Sequence, residues 1–482
     1  MLNRLHFLWR YRQNRYAHAM ATAIHRSVRR YPRRKVWAMY RLNMFHSVAK
    51  LPIEPSCWRS RVAKTASLAA CGELTAAREG IATFLLHSPR AQHKIALAHG
   101  LAPFMPQAAL KLIEGSPKAS PAFHVALLLR NDRSQQACHL LAQLGSEMVE
   151  RYPEISLLQT NAGGGTPGLQ LQRLNVYLAA FGLSSLSLID PSLAPSPLNL
   201  KASNQPKMQS GPLISVLMTT YNTGYRAEMA VSSLLAQSHQ TLELIVVDDA
   251  SSDDTPQRIE KLARQDSRIR LIRLPRNVGT YAAKRIGLVE ARGEFVTCHD
   301  SDDWSHPEKL SRQLAPLLVD PSLVCTVSNW VRMQDDGAFY ARPVYPLARL
   351  NPSSPLFRRE RVLREAGSWD CVRTGADSEF LARLKVVFGA KAVRKVNQPL
   401  TFGSHRNGSL MTAYETGYLP TGISPVRQAY WESWSKWHIE MLSEGKQPYI
   451  DPSIFTASRR PFTAPDALLV DISNVNECAT VF

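Results

Sequence analysis

An α/β domain with a mostly parallel sheet, preceded by an all-α region, is the fold class that this 482-residue sequence predicts. Three features point to it. From residue 213 onward, short apolar, β-branched runs alternate with helix-length amphipathic segments, the pattern of successive βαβ units. Between about 58 and 180 the chain is rich in Ala, Leu and Gln, with apolar residues recurring at three- and four-residue spacing. A proline- and serine-rich stretch separates the two. The length allows two or three domains at the usual ~100–200 residues each. A hydrophobic content of 45% with 20% charged residues is that of a chain that buries a core.

Residues 1–57 form a basic amphipathic segment. The first 50 residues hold twelve Lys/Arg and no Asp or Glu, a large part of the formal net charge of +19. Phe7, Trp9, Tyr11, Trp37, Tyr40 and Phe45 are interleaved with these cations. This mixture suits a helix lying on an anionic membrane surface, with rings at headgroup depth and guanidinium groups on phosphate. A solvated arm, or a first helix packed on the rest of the chain, remains open beside it, and nucleic acid is not an expected partner. Apolar runs stop well short of the ~18 residues of a membrane span, and no secretory signal follows the basic start. The expected location is therefore cytoplasmic, with peripheral contact at the inner face of the membrane. The seven cysteines are scattered and never spaced as C-x-x-C, which argues for reduced thiols rather than a disulfide framework or zinc site.

Residues 58–185 read as helical, with a candidate repeat. Ser88-Pro89-Arg90-Ala91 recurs as Ser116-Pro117-Lys118-Ala119, 28 positions later, and Ser-Pro is a helix-start signal. Two such starts predict stacked helical hairpins of the tetratricopeptide kind and a surface for a protein partner. Residues 186–212 read as the linker.

In the α/β part, 213–219, 242–247, 269–274 and 294–298 are expected strands, with helices at about 225–236, 254–265 and 280–291 between them. Ligands of such sheets bind beyond the carboxyl ends of the strands. Those ends carry Thr219-Thr220-Tyr221-Asn222, Asp248-Asp249 and His299-Asp300-Ser301-Asp302-Asp303. Crowded carboxylates repel one another and call for a cation. Oxygen ligands without Cys or His company suit Mn²⁺ or Mg²⁺, which also hold substrate phosphates.

These blocks carry a family resemblance. Ile214-Ser215-Val216-Leu217-Met218-Thr219-Thr220-Tyr221-Asn222, Val246-Val247-Asp248-Asp249-Ala250-Ser251, Asn277-x-Gly279 and Gly293-Glu294-Phe295 running into Asp300-Ser301-Asp302-Asp303 resemble, in order and spacing, the inverting GT-A glycosyltransferases of family 2. The resemblance covers about 200 residues, giving a GT-A catalytic domain at 213–415 and a C-terminal extension at 416–482. It implies a nucleotide-diphosphate sugar donor, here UDP-linked, a divalent metal, and transfer with inversion to a glycan or lipid-linked glycan acceptor at the cell surface.

The resemblance also implies roles for single positions. Thr219 and Tyr221 match residues lining the nucleobase, and Asp249 the carboxylate on the uracil imide, with Asp248 beside it. Asp300, Asp302 and Asp303 match the acidic run, in which one carboxylate bonds ribose and others hold metal. Lys284 and Arg285 stand where the family more often has Arg-Asn, and both are candidates to face phosphate. Gly367-Ser368-Trp369-Asp370 and Gly375-Ala376-Asp377-Ser378-Glu379 resemble the family's Gly-Gly-Phe-Asp and Gly-Glu-Asp blocks, with Ala376 in place of the usual Glu. Asp377 then matches the general base, with Glu379 as the fallback and helix capping as the alternative role. His405, in a His-x-x-x-Ser-Leu block, matches a residue near the diphosphate that is sometimes a metal ligand, and His299 is expected to support the Asp300 loop. The missing Glu leaves two rival readings in view: a helical-repeat scaffold with a decayed transferase domain, and a nucleotidyltransferase, which would normally carry a Gly-rich basic loop absent after the first strand.

Overall fold

The computed structural model describes residues 2–23, 32–52, 57–203, 206–208, 210–419, 421–453, 460–470 and 480–481. Arg26, Arg29 and Arg30 of the basic block, and Cys478, lie outside the described residues.

Two short antiparallel strands come first, β1 (Leu186–Leu188) and β2 (Leu200–Ala202). The main sheet is built from β3 (Ile214–Thr220), β4 (Leu242–Asp248), β5 (Ile269–Arg273), β6 (Phe295–Asp300), β7 (Trp304–Ser305), β8 (Cys325–Met333), β9 (Phe339–Tyr340), β10 (Arg349–Leu350), β11 (Leu356–Arg358) and β12 (Val393–Ser404). Its order is β5-β4-β3-β6-β11-β8-β12-β7, with β9 and β10 paired to β8 and Thr480–Val481 added beside β5. β5, β4, β3 and β6 are mutually parallel, as the alternating pattern predicts; β11 runs antiparallel between β6 and β8, and β12 is parallel to β8.

Every residue of β3 and of β4 is buried, because helices cover both faces. Alternate side chains go to opposite sides. Ile214, Val216 and Met218 pack with Leu242, Leu244 and Val246 under the Tyr225–Leu235 and Lys309–Val319 helices. Leu217, Ile245 and Val247 pack with the Thr280–Val289 and Ala376–Val387 helices. The register decides what the carboxyl edge presents: Thr219 pairs with Val247 and with Asp300, and Thr220 with Asp248.

Among the described residues the helical region packs as successive hairpins: Trp58–Ala70 with Leu74–Leu86, Ala91–Leu101 with Pro106–Ile113, Pro121–Arg130 with Ser134–Ala142, and Glu154–Gly163 with Pro167–Ala179. The hairpins begin 33, 30 and 33 residues apart, not at the 28-residue spacing of the Ser-Pro pairs. Ser116-Pro117 lies in a turn; the helix starts four residues on, where the Ser120 hydroxyl accepts from Phe123 N at 3.2 Å. Ser88-Pro89 likewise precedes its helix, which begins at Ala91.

Three stretches that read as appendages are built into the fold. Residues 186–202 form the β1–β2 hairpin, tied by the Asn199 side chain, which donates to the carbonyls of Asp190, Leu193 and Ala194. The C-terminal helix Pro425–Ser443 buries Tyr430, Trp431, Trp434 and Trp437, the first three in the core that holds the Ala376–Val387 helix. The basic N-terminal helices pack on that same helix: Ser47 donates from its backbone N–H and hydroxyl to Glu432 at 2.7 and 2.6 Å, and Ala17, Ala21 and Met44 share a cluster with Val386 and Ile439. The basic segment is therefore packed on the rest of the chain and is not a solvated arm.

Gly367 marks how tightly the C-terminal segment is held. Its φ of +78° favours glycine, and a Cβ there would lie 1.8 Å from the Ile450 carbonyl oxygen. Gly367→Ala should therefore destabilise the protein by about 3 kcal/mol or more, read as a lowered denaturation midpoint; a loss within ~0.5 kcal/mol would show that the 450 segment is free to move away.

Candidate active site

The strand ends place the carboxylates in two tiers. Asp248 is the inner one: its carboxylate accepts from Thr220 Oγ1 at 2.9 Å, Ser251 N at 3.0 Å and Ser251 Oγ at 2.6 Å, which fixes the turn after β4. Asp249 accepts from the backbone N–H groups of Val278 and Gly279 at 2.6 and 2.8 Å and so anchors the loop that opens the Thr280–Val289 helix. Gly279 has φ +80°, so this helix entry needs glycine. Burial pushes the Asp249 carboxyl up to about 6, against the two backbone donors, with Asp248 adding to the rise. Thr219, whose hydroxyl lies 2.7 Å from that of Thr280, is buried, while Tyr221 at the lip is 51% exposed.

The outer tier lies over the Thr280–Val289 helix. Lys284, buried at 2% exposure, donates to Asp300 Oδ1 at 3.1 Å. Burial alone would depress its ammonium, but Asp300 outweighs that and raises it; burial likewise works against the Asp300 carboxylate, which Lys284 holds below the usual range. Tyr281, on the same helix, lies by Asp377, and burial, together with the Asp377 and Asp300 charges, raises its phenol well above the usual value. Asp377 is the second residue of the Ala376–Val387 helix, whose N-cap is Gly375, so the capping role falls to glycine. One Asp377 oxygen accepts from Ser378 N at 2.7 Å, and the residue is half-buried. Lys284, Asp300, Tyr281 and Asp377 therefore share one side of the crevice.

Asp302 and Asp303 complete it. Asp302 accepts from Arg406 Nε at 3.0 Å, and Asp303 from Ser404 N at 3.0 Å. Burial raises both carboxyls, and for Asp303 the neighbouring Asp302 and Asp300 add to the rise. Below them His299 is buried against the Asp303 carbonyl at 3.2 Å; burial and Lys309 push its imidazole down, which keeps it neutral and supports its expected place behind the Asp300 loop.

Three expectations need correction. His405 does not join the aspartates: its ring stacks on Tyr340 with centroids 3.6 Å apart and planes 3° from parallel, and no group of three or more His, Cys, Asp or Glu that could hold a metal occurs among the described residues. Arg285 does not face the crevice; it donates to Cys371 Sγ at 2.7 Å and to the carbonyls of Asp451 and Pro452. Glu379 is no fallback base, because it is fully buried, paired with Arg383 at 2.8 Å and with His438 at 2.9 Å. Two site residues were missed. Tyr281 stands two residues after Gly279 of Asn277-x-Gly279, and Arg406 follows the histidine that drew attention instead; a basic residue opposite an acidic run was the available signal.

Residues 215–374 match the family model described as Glycosyl transferase family 2. This segment is a family 2 glycosyltransferase domain. It covers β3 to the turn before Asp377, and so contains every crevice residue named above except Asp377, Ser404 and Arg406. The glycosyltransferase domain is 40% identical over 126 residues to a Haemophilus influenzae glycosyltransferase, covering 26% of this chain and 50% of that protein. It is 33% identical over 165 residues to the succinoglycan biosynthesis protein ExoO of Rhizobium meliloti, covering 33% and 47%. A third relative, the glycosyltransferase GlyG of Streptococcus pneumoniae, is 31% identical over 158 residues, covering 33% and 51%. The chain thus spans about half the length of these relatives. Among solved structures, S. aureus TarS in complex with UDP-GlcNAc overlaps at 20% identity with a TM-score of 0.37, covering 49% of this chain and 65% of that one.

The Glu379 pair gives the site a testable acid limit. Burial alone would raise this carboxyl, yet Arg383 and His438 bring it down to about 2. A depressed carboxylate contributes stability that is present above its unfolded pKa of about 4.3 and lost as pH falls through the folded value. Stability should therefore drop between about pH 4.5 and 2. Glu379→Gln should cost ~3–5 kcal/mol at pH 7 and flatten that acid limb in denaturation curves; an unchanged limb would remove Glu379 as its source.

Proposed function

We propose that this chain is an inverting glycosyltransferase that moves a sugar from a nucleotide-diphosphate donor, UDP-linked, to a glycan or lipid-linked glycan destined for the cell surface. The observation that carries the reading is one accessible carboxylate, Asp377, set beside Tyr281 and across the Lys284–Asp300 pair from Asp302 and Asp303.

The donor set fits a hard divalent cation such as Mn²⁺ or Mg²⁺. Asp302 and Asp303 offer carboxylate oxygens only, and such ions are held by one or two carboxylates plus phosphate oxygens. The Arg406 guanidinium on Asp302 marks the place as one where positive charge is already accommodated. Asp302 and Asp303 would hold the ion, which would neutralise the departing diphosphate. Thr219, Tyr221 and the Asp249-anchored loop line the nucleotide side. Asp377, with one oxygen free of the Ser378 N–H, takes the proton of the acceptor hydroxyl as its oxygen bonds the anomeric carbon and the carbon–phosphate-oxygen bond breaks. Tyr281 lies by Asp377, and the crevice aligns acceptor and donor.

Asp377→Asn keeps shape and hydrogen bonding but cannot accept a proton, so transfer should fall at least ~10²-fold with donor affinity little changed. Radiolabelled transfer from UDP-sugars and GDP-sugars, with Mn²⁺ and with chelator, checks this together with donor and metal. Near-normal transfer by Asp377→Asn would move the base elsewhere, and full activity in chelator would remove the ion.

For location, the reading is a cytoplasmic protein at the inner membrane face. No helix among the described residues is long and apolar enough to cross a membrane. The Leu2–Arg12 helix leaves Leu5 and Trp9 exposed at 56% and 51%, beside Arg4 and Arg12. Leu5→Ser with Trp9→Ser should weaken sedimentation with phosphatidylglycerol vesicles, and added salt should weaken what remains, since each cation near the surface contributes ~1 kcal/mol. Equal binding by the variant and the unaltered chain would remove the surface role.

A further inference from the structure

Away from the acidic run, three arginines gather without an ion pair among the described residues. Arg342 and Arg427 lie on the Tyr418 ring, 4.2 and 4.7 Å from its centroid, and Arg342 also reaches Phe104 of the helical region at 5.8 Å. Arg349 ends the loop that carries Arg342 and is exposed. No ion pair to Arg342, Arg349 or Arg427 occurs among the described residues. Arg427 donates only to neutral oxygens, the Thr416 carbonyl and the Thr374 hydroxyl, both at 2.7 Å. Nη1 of Arg342 is buried with no hydrogen-bond partner. Glu154, whose charge reaches Arg349, is engaged by the backbone, accepting from Leu347 N at 2.7 Å and Ala348 N at 2.9 Å.

Burying a guanidinium without a partner is costly, and gathering like charges adds to that cost. Cation–π contact with Tyr418 offsets part of it and supplies no acceptor for the N–H groups. The arrangement is also actively held. Asn161 exchanges two 2.7 Å hydrogen bonds with the Phe339 backbone, Arg130 donates to the Ala341 carbonyl at 2.8 Å, and Glu154 holds residues 347 and 348. All three clamps come from the helical region, and the loop they hold carries Arg342 and Arg349.

The position on the molecule separates this cluster from the donor. Arg427 is bonded to Thr374, three residues before Asp377, whereas Lys284, Lys309, Arg332 and Arg406 are the cations that act on the acidic run. We infer that Arg342, Arg349 and Arg427 form an acceptor subsite for an anionic group, a carboxylate or a phosphate on the acceptor, held in shape by the helical region. The inference rests on the transferase reading for the word acceptor, while the anion site itself stands on the arginines alone.

The test uses the full chain saturated with UDP and Mn²⁺, so that the donor crevice is filled. Equilibrium binding is measured for a hexuronate trisaccharide, for the neutral trisaccharide made by reducing its carboxyls, and for glycerol phosphate. One acidic ligand should bind at least about ten-fold more tightly than the neutral sugar, the margin expected of charge-assisted hydrogen bonds. Which of the two does so distinguishes carboxylate from phosphate. Arg342→Gln should erase the margin and Arg342→Lys should keep part of it, which separates lost charge from lost fold. The proposal is overturned if neither acidic ligand outbinds the neutral one, if Arg342→Gln keeps the full margin, or if saturating UDP abolishes the acidic ligand's binding. Donor hydrolysis by the unaltered chain is followed in parallel: its absence would count against the transferase reading while leaving the binding comparison decisive for the anion site.

Discussion

The ion pair between Lys284 and Asp300 is the contact on which the rest of the crevice depends. Three aspartates within four residues at the end of β6, facing Asp377 from the next layer, would repel one another in a site this dry. Lys284 offsets the first of them from inside the Thr280–Val289 helix, at a position where burial alone would favour a neutral amine. Lys309, fully buried beneath the same run, adds a second positive group, and its own burial brings it down to about 8. Arg406 pairs with Asp302, yet burial still raises the carboxyls of both Asp302 and Asp303. The fold thus neutralises part of the cluster, and under the proposed function a divalent cation and the donor's phosphates would take up the rest.

The regions outside the glycosyltransferase domain serve the same crevice from behind. The C-terminal helix supplies His438 to Glu379 and Tyr430 to Asp370, at 2.9 and 3.0 Å, so the helix that carries Asp377 in its first turn is fixed by partners 59 and 60 residues further along the chain. The helical region acts on the other flank, through Asn161, Arg130 and Glu154 on the loop after β9. Neither contact touches a reacting atom. Both hold backbone that carries residues of the proposed site, and small displacements of reacting groups are costly to catalysis.

Much of the α/β part was legible because its signals are local. Short, largely apolar strand runs at β3 and β4 and amphipathic helices between strands need no knowledge of distant residues, and the expected strand and helix bounds fall within a residue or two of the observed ones. Asp300, Asp302, Asp303 and Asp377 came from short blocks whose spacing is itself the signal. The errors arose where a partner from far along the chain decides the role. Nothing around Glu379 reveals Arg383 and His438 closing on it, nothing around Arg285 reveals the 451–452 carbonyls, and His405 gives no hint of Tyr340 beneath its ring. The repeat period was misjudged because Ser-Pro can precede a helix by several residues, whereas hairpin packing shows the 30- to 33-residue spacing directly.

The central claim is that one free carboxylate, Asp377, acts across the crevice from a charge-balanced cluster in a single displacement. Proton NMR of the anomeric centre in the first-formed product tests it most directly. An anomeric configuration opposite to that of the donor is the predicted result. Retention of the donor's configuration would require either a covalent intermediate or a same-face transfer, and would contradict the account.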